Sequence, residues 1–103
     1  FASFGRTLDL FGDGSARLAY TPGHTLGHMS LVLRTKGGEF LIAADSIYTM
    51  RTLRESAMPY GPQDEHEFRR SLREVQRYAE QTPDAVIVPG HDIEAFRALA
   101  PVY

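Results

Sequence analysis

Three side chains in this sequence are of the types that hold a divalent metal: His24, Asp45 and His91. Imidazole nitrogens and carboxylate oxygens are common ligands of zinc and its transition-metal neighbours. The chain contains no cysteine, so a metal site here must be built from nitrogen and oxygen donors, and no thiol nucleophile exists. His24 ends the chain-breaking run Thr21-Pro22-Gly23-His24, and His91 lies in Pro89-Gly90-His91-Asp92. Asp45 closes the apolar run Phe40 to Ala44. Gly23 and Gly90 allow the backbone to turn sharply and approach other groups closely. Residue types and spacing alone leave the plainer readings open, because a lone His is commonly a surface residue and a lone Asp at a strand end commonly forms a turn.

The elements that must position these residues follow from patterning. Thr7 to Phe11, the turn signal Gly12-Asp13-Gly14 and Ala16 to Tyr20 predict a hairpin. Met29 to Thr35 predicts a strand with Met29, Leu31 and Leu33 on one side and Ser30, Val32 and Arg34 on the other. Lys36-Gly37-Gly38 turns the chain into Glu39 to Ala44, apolar on both faces and so expected to be central and covered on both sides. Residues 46–61 read as a loop. Gln63 to Gln81 predicts the one long helix, with Phe68, Leu72, Val75 and Ala79 as its apolar stripe and acidic residues in its first turn. Ala85 to Val88 reads as a short buried strand, and Ile93 to Leu99 as a short helix. Strands followed by helix, strand and helix suggest α/β or α+β layering, with a helix covering a sheet. In such a layout, loops at strand ends bring distant residues to one edge.

The bulk properties exclude several functions. The 103 residues suffice for one small domain or part of a larger one. An apolar fraction of 43% and a charged fraction of 23% are ordinary for a globular protein. A net charge of -2 gives no reason to expect nucleic acid or an anionic membrane as partner. No apolar run is long enough to span a bilayer. The chain begins Phe1-Ala2-Ser3, with no initiator methionine and no signal-peptide pattern, which reads as an internal fragment or a processed product. A cytoplasmic location is the default expectation.

The motifs in their order are more specific than any residue alone. Thr21-Pro22-Gly23-His24-Thr25-Leu26-Gly27-His28, then a strand hairpin ending in Ala44-Asp45, then Val88-Pro89-Gly90-His91-Asp92 resembles the metallo-β-lactamase superfamily over nearly the whole chain. The resemblance implies an αββα sandwich, of which residues 1–103 are the C-terminal part of a single domain. It implies two divalent ions, with zinc first in expectation and Mn, Fe or Co as substitutes. His24 would bind the first, Asp45 would bridge and His91 would bind the second. His28 matches a position that is generally not a ligand, and its expected role is structural or hydrogen bonding to a residue that itself binds metal. Thr25 would steady the loop, and His66, matching no motif, is assigned to the solvated face of the helix. The family's N-terminal HxHxDH motif does not occur in this chain, so the missing N-terminal half would be needed to complete the site and the isolated chain is expected to be inactive.

Within that superfamily, Ala44-Asp45-Ser46-Ile47-Tyr48-Thr49 is similar to the N-acyl homoserine lactone lactonases, in which a tyrosine follows the bridging aspartate by three positions. The resemblance implies a hydrolase that opens acyl homoserine lactones or related lactones by attack of metal-bound hydroxide, a quorum-quenching activity. Tyr48 would be catalytic, with its phenol stabilising the developing oxyanion. The substrate would be a small-molecule lactone, and no nucleic acid or membrane is expected as partner. The apolar residues of the 47–60 segment, Ile47, Tyr48, Met50, Leu53, Met58 and Tyr60, either line an acyl pocket or pack under a loop. Two other readings remain: a glyoxalase-II-like thioesterase, and a non-catalytic binding module that kept the fold without its metals. The absence of cysteine argues against the lactamases that use a thiolate ligand at this stage of the chain.

Overall fold

The computed structural model describes residues 1–101. Five strands form one sheet in chain order: β1 (Thr7–Asp9), β2 (Ala16–Tyr20), β3 (Met29–Thr35), β4 (Gly38–Ala44) and β5 (Val86–Pro89). The first four are antiparallel neighbours, as short connections permit, whereas β5 runs parallel to β4 and needs a crossover. That crossover contains α1 (Met50–Glu55) and α2 (Glu65–Gln81), and α3 (Ile93–Arg97) follows β5.

The helix α2 starts where Asp64 accepts a hydrogen bond from the Glu67 amide at 3.0 Å, with Glu65 and Glu67 beside the positive end of the helix dipole. Phe68, Leu72 and Val75 are buried as their spacing predicts. Ser71 and Tyr78 are buried with them, and Ala79 lies at the half-buried margin. Tyr78 packs against Phe4 with ring centroids 5.5 Å apart and donates its hydroxyl proton to Glu39 Oε1 at 2.6 Å.

Strand register determines which face meets this helix. Ala19 pairs with Ser30 and Val32 with Leu41, so these residues share a face, and all are buried. The core joins Ala19, Val32, Leu41 and Ala43 to Leu72, Val75 and Tyr78 of α2 and to Ile47. The other face carries the row Leu8, Leu18, Leu31, Ile42 and Val88, each the register partner of the next. This row is only partly covered: Leu8 is 60% exposed and Ile42 37%.

Two expectations are corrected. β4 is central, but only one of its faces is covered throughout, because α2 packs on the Leu41 and Ala43 side while Ile42 reaches solvent. Residues 46–61 are not all loop. Thr49 accepts from the Thr52 amide and starts α1, and Ser56, in a left-handed conformation (φ 54°), ends it. Six residues are too few to display a helical apolar stripe, so α1 has little signature in the sequence. Within the same segment, Ile47 and Leu53 belong to the core packing and Tyr60 projects fully into solvent, so these three are not pocket lining in this chain. No helix among the described residues is long and apolar enough to cross a membrane.

Candidate metal centre and its supports

His24, Asp45, Tyr48 and His91 meet at one edge of the sheet, each delivered by a different device. The loop after β2 carries His24. It is fastened to the start of α2 by the Asp64 amide on Gly23 O (2.9 Å), the Gln63 amide on His24 O (3.2 Å) and the buried Ser71 hydroxyl on Pro22 O (2.7 Å). Gly23 has φ 139°, and a Cβ there would lie 2.3 Å from the Phe68 backbone, so glycine is required for both conformation and space.

Asp45 leaves β4 through a kink. Ala44 adopts φ 51°, and the register with β5 shifts between Ile42 and Ala44. A left-handed residue with a side chain costs about 1–2 kcal/mol, so surrounding contacts must hold it. Gly90 presses on the same point: a Cβ there would lie 2.6 Å from Asp45 Oδ1 and 2.7 Å from Ala44 O. The Gly90 amide bonds Ile47 O (3.1 Å) and the His91 amide bonds Tyr48 O (2.8 Å), tying the β5 loop to the β4 loop. Asp92 then caps α3 at Ala95 and also accepts from the Met50 amide at the start of α1, both at 3.0 Å. Those backbone bonds hold the Asp92 carboxyl below its ordinary pKa.

The carboxylate of Asp45 is shared. His24 Nε2 lies 3.2 Å from Oδ2, and His91 Nε2 lies 2.8 Å from Oδ1. The Tyr48 hydroxyl is 2.8 Å from His24 Nδ1, and its ring packs on His91 with centroids 4.5 Å apart. Partial burial, with the nearby Asp45 charge, raises the phenol pKa, so Tyr48 keeps its proton at neutral pH.

Beneath Asp45 runs a chain of polar groups. The Asp45 amide donates to His28 Nε2 at 3.0 Å. His28 Nδ1 lies 3.0 Å from Thr21 O and 2.9 Å from Thr21 Oγ1. Thr21 Oγ1 meets Ser30 Oγ at 2.8 Å, Ser30 donates to Ala43 O at 3.0 Å, and Ser46 also donates to Ala43 O at 2.8 Å. Burial pushes the His28 imidazole below its ordinary pKa, which keeps it neutral at pH 7. His66 is exposed, as its place on the helix predicts. Thr21, Ser30, Ser46 and Ser71 escaped the sequence reading. The available signal was a hydroxyl residue at a core-facing position of an apolar strand or stripe, as with Ser30 beside Val32 and Ser71 beside Leu72.

The donor types suit divalent ions, because the two imidazole nitrogens and the carboxylate oxygens face one another. Their number falls short. Among the described residues no group of three or more His, Cys, Asp or Glu forms a cage for one ion, since each histidine faces a different oxygen of Asp45. The three side chains do not by themselves make a complete site.

Comparison with known proteins gives a consistent picture. The family model of the metallo-beta-lactamase superfamily matches residues 4–91. The N-acyl homoserine lactonase AttM of Rhizobium radiobacter is 36% identical over 89 residues, covering 85% of this chain and 34% of the relative. An N-acyl homoserine lactonase of Bacillus cereus is 34% identical over 79 residues, covering 76% of this chain and 31% of the relative. The crystal structure of a quorum-quenching N-acyl homoserine lactone lactonase superposes with a TM-score of 0.80 at 26% identity, covering 91% of this chain and 38% of that one. The chain thus spans about a third of the length of the curated relatives it matches.

Proposed function

Because this chain belongs to the metallo-β-lactamase superfamily, we propose that it carries the C-terminal part of the active site of a metal-dependent lactonase acting on acyl homoserine lactones or related lactones. The observation that carries this reading is the Asp45 carboxylate between the Nε2 atoms of His24 and His91, with the Tyr48 hydroxyl alongside. Relatives named N-acyl homoserine lactonases support it.

His24 would hold one ion and His91 a second, with Asp45 shared between them; the donor set suits zinc, with Mn, Fe and Co able to use the same side chains. Ions held there would lower the pKa of bound water and draw charge from a carbonyl oxygen. Donors beyond these three would come from the HxHxDH half of the domain, outside these residues. The apolar row Leu8, Leu18, Leu31, Ile42 and Val88 gives the second sheet of an αββα sandwich a face to pack on.

The residues present divide the remaining work. A ligating Nε2 needs a free lone pair, so with an ion bound the His24 proton would sit on Nδ1 and be donated to the Tyr48 oxygen. That leaves the phenol O–H free to point at a carbonyl oxygen, where negative charge develops as water adds to the ester carbon. Tyr48 donates a hydrogen bond there without losing its proton, as its raised pKa requires. Collapse of the adduct breaks the ring C–O bond. The product is a hydroxy acid, with the proton from water going to the alkoxide leaving group.

The test is acid release from an acyl homoserine lactone, followed by pH-stat on the full-length protein. Lactone opening is expected, and Tyr48→Phe should slow it by roughly 10- to 1,000-fold, the scale of losing an oxyanion donor. Hydrolysis of a thioester with no lactone opening would contradict the reading. Equal rates for the two proteins would remove Tyr48 from the chemistry.

A further inference from the structure

We propose that His28 is a positioning residue, which grips the Asp45 backbone amide and so holds the carboxylate between His24 and His91. The inference rests on the reading of Asp45 as a shared ligand.

Proton accounting supports it. A backbone amide can only donate, so the 3.0 Å contact from the Asp45 amide makes His28 Nε2 an acceptor. A carbonyl can only accept, so the 3.0 Å contact to Thr21 O puts a proton on His28 Nδ1. The imidazole is therefore neutral, in a single tautomer, with both nitrogens engaged. Neither is available to a metal, which separates His28 from His24 although their rings lie edge to face with centroids 6.2 Å apart.

The site also needs such a grip. Asp45 follows Ala44, whose left-handed backbone (φ 51°) would relax without restraint. On one side the restraint is the Gly90 backbone, against which a Cβ would collide with Asp45 Oδ1. On the other it is His28. Thr21 is 1% exposed and itself bonded to Ser30, so the far end of the imidazole is anchored in the core and not in solvent. The chain from Ala43 O through Ser30, Thr21 and His28 returns to the amide two residues after Ala43. This loop of hydrogen bonds encloses the kink.

The two ends of the imidazole can be tested apart. The side-chain amide of Gln reaches about as far as Nε2 and offers an oxygen to the Asp45 amide. Asn reaches only the Nδ1 position and can replace the bond to Thr21 alone. In the full-length protein, zinc affinity measured by chelator competition should stay near wild type in His28→Gln and weaken roughly 10- to 100-fold in His28→Asn, as for outer partners of metal ligands. Equal losses in the two variants would overturn the proposal, because an imidazole that merely fills space is missed equally by both. Wild-type affinity in both would also overturn it.

A second measurement needs no variant to fold. 15N-histidine NMR of the wild-type protein near neutral pH should show His28 protonated at Nδ1 and bare at Nε2; the reverse tautomer, or rapid averaging of the two, would overturn the proposal. If the zinc pattern and tautomer hold while no lactone is opened, the lactonase reading fails and the role of His28 stands.

Discussion

His24 and His91 reach the same carboxylate by opposite routes. The His24 loop is clamped to a long, buried helix through Pro22, Gly23 and His24 carbonyls, and its side chain is 31% exposed. The His91 loop rests on another loop, through the Ile47 and Tyr48 carbonyls, and its side chain is 58% exposed. One histidine is therefore placed by the core and shares its stability. The other is placed by backbone contacts between two loop segments and by Asp92, which links α1 to α3. Damage to the first loop should be felt as unfolding, and damage to the second mainly at the site.

The sharpest way to break this contrast is an added methyl group at each glycine. Gly23→Ala forces Cβ onto the Phe68 backbone at a φ that disfavours side chains, and should cost about 3 kcal/mol or more in thermal or denaturant unfolding. Gly90→Ala meets Asp45 Oδ1 and Ala44 O, and should cost less, about 1–3 kcal/mol, while disturbing the carboxylate. If Gly90→Ala proves the more destabilising, the contrast fails. A milder probe is Ser71→Ala, which leaves the Pro22 carbonyl without its donor and should cost about 1–2 kcal/mol. Smallest in its effect on the melting temperature is Asp92→Ala, which frees the starts of α1 and α3. Its signature should be faster amide exchange in residues 90–97, with α2 unaffected. Equal loosening of α2 would show that the two loops do not act separately.

The parts of this molecule legible in its sequence are those with long periodic signals. β3 and α2 stand close to where alternation and the Phe68, Leu72, Val75 stripe put them, because burying one face of each is what folds the chain. The hairpin of β1 and β2 is likewise marked by its glycine turn. α1 was not legible, since its caps, Thr49 and Ser56, act through backbone geometry that short polar residues adopt in many contexts. The covered face of β3 was not legible either. Its more apolar side, with Leu31 and Leu33, is half-exposed, whereas Ser30 and Val32 are buried. The reason is chemical: Ser30 is buried because the Ala43 carbonyl and the Thr21 hydroxyl satisfy it, and hydropathy does not register partners. At the site, the ordered motifs pointed to His24, Asp45, Tyr48 and His91 together, and they do meet. What the motifs could not convey is how they are held, by Ser71, Asp92 and the Thr21 to Ser30 chain, whose residue types are unremarkable without their neighbours.

The account turns on Asp45 being shared between two ions. Elemental analysis of the full-length protein, purified as wild type, His91→Ala and Asp45→Ala, tests this most directly. About two divalent ions per chain are expected in the wild type, close to half of that in His91→Ala, and a loss from both positions in Asp45→Ala. Metal content unchanged by either substitution would contradict the shared site.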